Sequence, residues 1–177
     1  MKTRSLYFSL VIALLAWVGH SQGQEPMGAK PKKARTPEDY QARTLKDVGT
    51  HEGKGHNLGN KEETMVVISD LLPSRVRVTY EGSERLFLPV KKEVLRQWAR
   101  LYAGAPEALT RPYHTELLFT EDRTNYWLAV REDSLPQIRQ ELRPGDLLDL
   151  FVIRVGKAKT STEWQPVILV EGLQKAK

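Results

Sequence analysis

Apolar positions recur with a period of two in "RVRVTY": Val76, Val78 and Tyr80 fall on one side, Arg75, Arg77 and Thr79 on the other. A half-buried β-strand gives this alternation, because successive side chains point to opposite faces. The preceding "TMVVISDLL" is apolar and β-branched and predicts a first strand. "EGS" followed by "ERLFLPV" predicts a turn and a returning strand, hence a β-hairpin. The period then changes. In "KKEVLRQWARLYAG", Val94, Leu95, Trp98, Leu101 and Tyr102 fall at helical spacing, with Lys91, Lys92, Arg96 and Arg100 mostly outside that stripe. This predicts an amphipathic helix stopped by Gly104, with Pro106 soon after.

The strand pattern resumes with "HTELLFT" and "NYWLAV", which flank "EDR" as a second hairpin. Asp133 or Ser134 then caps a short helix through Leu142, with Ile138 and Leu142 facing inward and Pro144-Gly145 as a tight turn after it. "DLLDLFVIRVG" is a long strand, apolar on both faces. "EWQPVILVEGL" is the last strand, and its Pro166 predicts an edge or a bulge. A spacing of 40 relates Glu81 to Glu121, Leu88 to Leu128, Val90 to Val130 and Leu95 to Leu135, although strand alternation alone recreates such matches. The fold class is therefore mainly β with two helices, as a β-barrel or an α+β arrangement.

The run from Asn125 to Val155, "NYWLAVREDSLPQIRQELRPGDLLDLFVIRV", gives strand, short helix, Pro-Gly-Asp turn and long strand. With its neighbours it covers roughly residues 115–172 and resembles the second half of an OB-fold, where a helix sits between the third and fourth strands. The resemblance is one of fold pattern, with no family signature. It implies an OB-like barrel carrying an inserted amphipathic helix near 91–103, and binding of oligonucleotides, oligosaccharides or proteins on one sheet face.

Ahead of this domain, assigned to 63–177, residues 22–62 are polar and glycine-rich and predict a flexible linker. Within it, Thr36 and Pro37 suit the start of a helical turn. Residues 1–21 have the layout of a secretory signal peptide: Lys2 and Arg4, then an apolar run from Leu6 to Val18, then small residues. That run is shorter than the roughly 20 residues a membrane span needs, and no later stretch is apolar enough for one. No cysteine follows it to carry a lipid, and the chain has none at all. An exported domain stabilised by its core alone points to the bacterial envelope, periplasmic or secreted.

Charge then narrows the partners. The net charge is +5, yet residues 63–177 hold 17 basic and 16 acidic side chains. A dedicated nucleic-acid binder concentrates positive charge on its domain, so any polyanion site must be a local stripe. Arg75, Arg77, Arg85, Arg123 and Arg131 lie on or beside predicted strands, interleaved with Phe87, Tyr126 and Trp127. Arginines and aromatic rings on a sheet face suit sugar rings or unstacked bases. These eight are the candidate ligand-binding residues, and the ligand class is an oligosaccharide, a polyanion or a protein partner.

Catalytic signals are sparse. No GxSxG elbow or phosphate loop occurs, and His114 is the only histidine of the domain. No cofactor is implied. No metal site is expected either: His51 and His56, around Glu52, are the weak candidates, with glycines between them instead of a fixed ligand frame. The alternative to a non-catalytic binding module is a secreted metal-dependent hydrolase or nuclease using the loop carboxylates Glu121, Asp122, Glu132 and Asp133. It requires those four side chains to converge.

Overall fold

The computed structural model describes residues 35–57, 65–102, 104, 106–161 and 163–176. The signal-peptide reading of 1–21 and the linker reading of 22–34 and 58–62 fall outside them. The described chain is mainly β. Its strands are β1 (Gln41–Ala42), β2 (Gly55–Asn57), β3 (Met65–Ile68), β4 (Ser74–Leu86), β5 (Tyr113–Glu121), β6 (Thr124–Arg131), β7 (Leu147–Lys159) and β8 (Trp164–Lys175). Its helices are α1 (Leu45–Thr50), α2 (Pro89–Tyr102), α3 (Pro106–Thr110) and α4 (Leu135–Glu141). Among the described residues, no helix is long and apolar enough to cross a membrane.

All strands belong to one sheet, ordered β1-β4-β5-β6-β8-β7-β3-β2, with a further pairing of β4 to β7. The ladder β4–β5–β6–β8–β7 thus returns to β4, although the strands are not spread evenly round one axis. Its weakest link is the parallel contact of β6 with β8, which pairs only Ala129 with Leu169. Strand β4 makes the return possible by serving two partners. Ser74–Thr79 pairs with β7, and Thr79–Leu86 pairs with β5.

The hairpin expected at "EGS" is therefore absent: Glu81-Gly82-Ser83 lies inside β4, as a register shift between Tyr80 and Glu84. Gly82 has φ +77, and a Cβ there would lie 2.5 Å from Pro144 Cγ. The glycine bends the strand against the loop after α4 instead of reversing it. Without a first hairpin, the 40-residue echo does not correspond to two equivalent units. The second hairpin forms as expected, over a tight turn in which Asp122 (φ 48) and Arg123 (φ 66) both take the left-handed conformation of a two-residue loop.

The sheet's inner face holds Val76, Val78, Leu117, Phe119, Leu128, Val130, Leu148, Leu150 and Val152. Leu45 and Val48 of α1 and Leu135, Ile138 and Leu142 around α4 join the same cluster. The outer face carries a second cluster, where Val94 and Leu95 of α2 meet Val67, Ile153, Val155, Val167 and Leu169. Helix α2 lies rotated from the stripe expected of it. Lys91 is 2 % exposed, whereas Leu101 is 50 % exposed. Lys91 stands four residues before Leu95 and three before Val94, so it shares their side of the helix.

The segment 35–57 corrects the linker reading. Pro37–Asp39 forms a 3₁₀ turn behind Thr36, β1 adds in parallel to β4, and α1 buries Leu45 and Val48 completely or nearly so. Polar side chains anchor it. Arg35 and the Tyr40 hydroxyl both donate to Glu171, at 2.8 and 2.7 Å, and the Tyr40 ring packs edge-on against Phe151. Burial and the Glu171 carboxylate push the Tyr40 phenol up. A composition poor in apolar residues still orders when a few of them enter a core built by the rest of the chain.

Candidate functional site

The registers of β4, β5 and β6 align Arg85, Glu116 and Ala129 across the sheet, with Leu118 opposite Trp127 in a neighbouring row. Residues opposite one another share a face, so Arg85 and Trp127 meet on the outer side. The Arg85 guanidinium lies 4.3 Å from the Trp127 ring centroid, an attractive cation–π geometry. Arg85 is held there by its Nε, which donates to Glu116 Oε2 at 2.8 Å. Lys91 Nζ reaches down from α2 to Glu116 Oε1 at 2.7 Å.

Glu116 and Lys91 are almost fully buried, at 1 % and 2 % exposure. Burial pulls the Lys91 amine below its ordinary value, and Glu116 partly restores it. Two cations share this carboxylate, and the charge of Glu163 also acts on Lys91. Arg85 Nη2 is buried without a hydrogen-bond partner. The result is a fixed cation beside a half-buried aromatic ring at the edge of α2. This arrangement suits a flat ring or an anionic group.

The other candidates scatter. Arg75 and Arg77 point outward from the first half of β4, where Arg77 makes a two-pronged pair with Asp149 of β7 at 2.9 and 3.1 Å. Arg123 stands exposed at the tip of the β5–β6 hairpin. Arg131, at the other end of β6, is held by Asp133, with Nε to Oδ1 3.0 Å. Two aromatic candidates turn toward the apolar clusters. Phe87 lies in the cluster beneath α2, and Tyr126 packs from its strand's inner side against the central core. Alternation puts Tyr126 with Leu128 and Val130, which leaves Trp127 as the outward ring.

The loop carboxylates do not converge. Glu121 caps α1, accepting from Leu45 N at 2.7 Å, while Asp122 is exposed at the turn. Glu132 accepts from the Thr115 hydroxyl, and Asp133 belongs to Arg131. The two pairs sit at opposite ends of an eight-residue strand, roughly 23 Å apart at strand rise. His51 ends α1 and His56 lies in β2, paired with Val67. Among the described residues, no group of three or more His, Asp or Glu is placed to hold a metal ion.

A second concave place lies between α1 and the start of β4, a small space with room for about one water molecule. It is lined by Arg43, Asp47, His51, Asp70, Ser74 and Arg154, among others. Arg154 is 8 % exposed and donates to the carbonyls of His51 (2.5 Å), Gly156 (3.2 Å) and Val48 (3.4 Å). It thereby caps the C-terminal end of α1 from β7. Burial alone lowers the Arg154 guanidinium from its ordinary value.

Sequence reasoning missed Lys91, Glu116 and the role of Arg154. The available signals were a lysine in register with Val94 and Leu95, and an arginine embedded in the apolar run "LFVIRVG". No known protein family matches this chain, and no curated protein matches it.

Proposed function

We propose that the protein is an exported, non-catalytic binding module of the bacterial envelope with an OB-like architecture. The order of pairings supports that architecture. Five strands, β4, β5, β6, β7 and β8, run in the sequence of a five-stranded OB barrel, with α4 between the third and fourth and α2–α3 inserted after the first. On this reading the ligand face is the outer side of the second and third strands, β5 and β6.

One observation carries the function: Arg85 stacked on Trp127 and keyed by the buried Glu116 stands on that face. The ligand class that fits is an oligosaccharide, above all one bearing acidic groups. Its ring packs beside the indole and its negative group meets the Arg85 guanidinium. The carboxylates needed by a metal-dependent hydrolase are dispersed, so nothing in their geometry supports that alternative.

The test is an NMR titration of the protein with acidic and neutral oligosaccharides and with short single-stranded DNA, following the Trp127 indole N–H. An acidic oligosaccharide is expected to shift it saturably, and Trp127→Ala to weaken binding by about tenfold or more, the worth of one stacked ring. A Trp127 signal that none of the ligands moves would overturn the reading. A response to DNA alone would replace the sugar with a nucleic acid.

A further inference from the structure

The outer face of the sheet carries more than the Arg85–Trp127 pair. Val78, Phe119 and Leu128 turn to the inner core, so alternation sends Arg77, Thr79, Leu118, Thr120, Asn125 and Trp127 to the opposite side. The registers place Thr79, Thr120 and Asn125 in one row across β4, β5 and β6, and Arg85 beside Glu116 in another. Thr120 and Glu116 lie four residues apart on β5, and Arg77 lies two before Thr79. Six residues of strand, roughly 20 Å, therefore separate Arg77 from Arg85 across the face. Helix α2 packs over β3, β7 and β8 and leaves this part open. Arg75, Arg77 and Asn125 are exposed there, and Thr79, Leu118 and Thr120 half-buried.

The far end of this face repeats the charge pattern of the near one. Near Trp127, Arg85 is keyed by Glu116. At the far end Arg77 donates Nε and Nη2 to Asp149, and Arg75 acts on the same carboxylate through its charge. Nη1 of Arg77 takes no part in that pair, and the side chain is 56 % exposed. The row between the two ends is uncharged, with the Thr120 hydroxyl donating to Asn125 Oδ1 at 2.9 Å beside Thr79. Guanidinium ends and a hydroxyl-and-amide middle complement a chain of sugar rings with carboxylates on separate rings. We propose that this face is a track for a linear acidic oligosaccharide, with one acidic ring at Arg85 and Trp127 and a later one at Arg75 and Arg77. The track rests on the reading of the Arg85–Trp127 pair as a sugar site, and adds the ligand's length and the place of its second acid. A single ring reaches one end alone, whereas a chain held at one end meets the other intramolecularly, so the track selects chains over single sugars.

The experiment titrates the full chain with uronate oligomers, from the single ring to chains longer than the track. NMR follows the Thr79, Thr120 and Asn125 amides together with the Trp127 indole N–H. Long chains are expected to shift both sets saturably, and the single ring to shift the indole alone. Affinity is expected to rise with length and to level off once the chain covers roughly 20 Å. Arg75→Gln, a substitution at an exposed position, is expected to weaken the long chain about tenfold, the worth of one charge-assisted contact, and to leave the single ring unchanged. Trp127→Ala is expected to weaken both. The track is overturned, with the ring site intact, if long chains move the indole but neither Thr120 nor Asn125, or if Arg75→Gln treats long and short ligands alike. An indole that no oligomer moves overturns both readings. A single-stranded DNA of the same length that binds more tightly overturns the sugar as occupant.

Discussion

Glu116 is the residue on which the outer face turns. Its two oxygens serve Lys91 and Arg85 separately, so removing the carboxylate leaves two cations facing each other over an apolar sheet. Breaking a buried pair in this way costs about 3–5 kcal/mol. Glu116→Gln is expected to lose stability on that scale in urea unfolding and to release Arg85 from Trp127. Lys91→Met is expected to cost clearly less, because Arg85 still pairs with Glu116 and the thioether fills the apolar space. Equal losses in the two variants would show that the carboxylate is not the hub. The same geometry explains why this site was hidden in the sequence. A lysine and a glutamate 25 residues apart carry no mark of burial until helix and strand are superposed.

At the scale of elements, the helix–sheet contact depends on one small residue. A Cβ on Gly156 would lie 2.2 Å from the Val66 carbonyl oxygen of β3 and 2.6 Å from Val94 Cγ1 of α2. Gly156→Ala must therefore push either β3 or α2 away, and overpacking of this kind costs about 1–3 kcal/mol. A thermal midpoint unchanged by that substitution would mean the contact is looser than described. Elements with a strong period were legible: β5, β6, β7, β8 and α2 all lie where alternation or helical spacing places them. What escaped were features set by neighbours. "EGS" has turn chemistry, yet two partner strands hold it straight enough to remain one bent strand. Residues 41–57 have too few apolar groups to predict order, yet Leu45 and Val48 find a core that the rest of the chain supplies. Trp127 and Arg85 were legible as candidates by residue type, but period two left open whether Trp127 or Tyr126 faced outward. Phe87 was not excluded, because it lies just past the end of its strand, where alternation no longer applies.

For the whole molecule, acid stability follows from the pairs that tie strands together. Arg77, first by its hydrogen bonds and then by its charge, holds the Asp149 carboxyl below its ordinary value of 3.8. Unfolded, that carboxyl titrates near 3.8. The folded protein therefore keeps the full contribution above this pH and loses it as pH falls through the lower folded value. Urea unfolding across a pH series is expected to show wild type losing stability more steeply below about pH 4 than Arg77→Gln does. Parallel curves would assign the acid sensitivity elsewhere. The order in which the chain can finish folding is also fixed by its anchors. Arg35 is 136 residues from its partner Glu171, and the Leu45 amide is 76 from Glu121. A polypeptide is made from its N-terminus, so residues 35–57 leave the ribosome first but find their berths only when β5 and finally β8 arrive. The earliest part of the domain to exist is the last to be sheltered. A protease that cuts within this segment is accordingly expected to cleave chains whose β8 is not yet in place faster than finished ones.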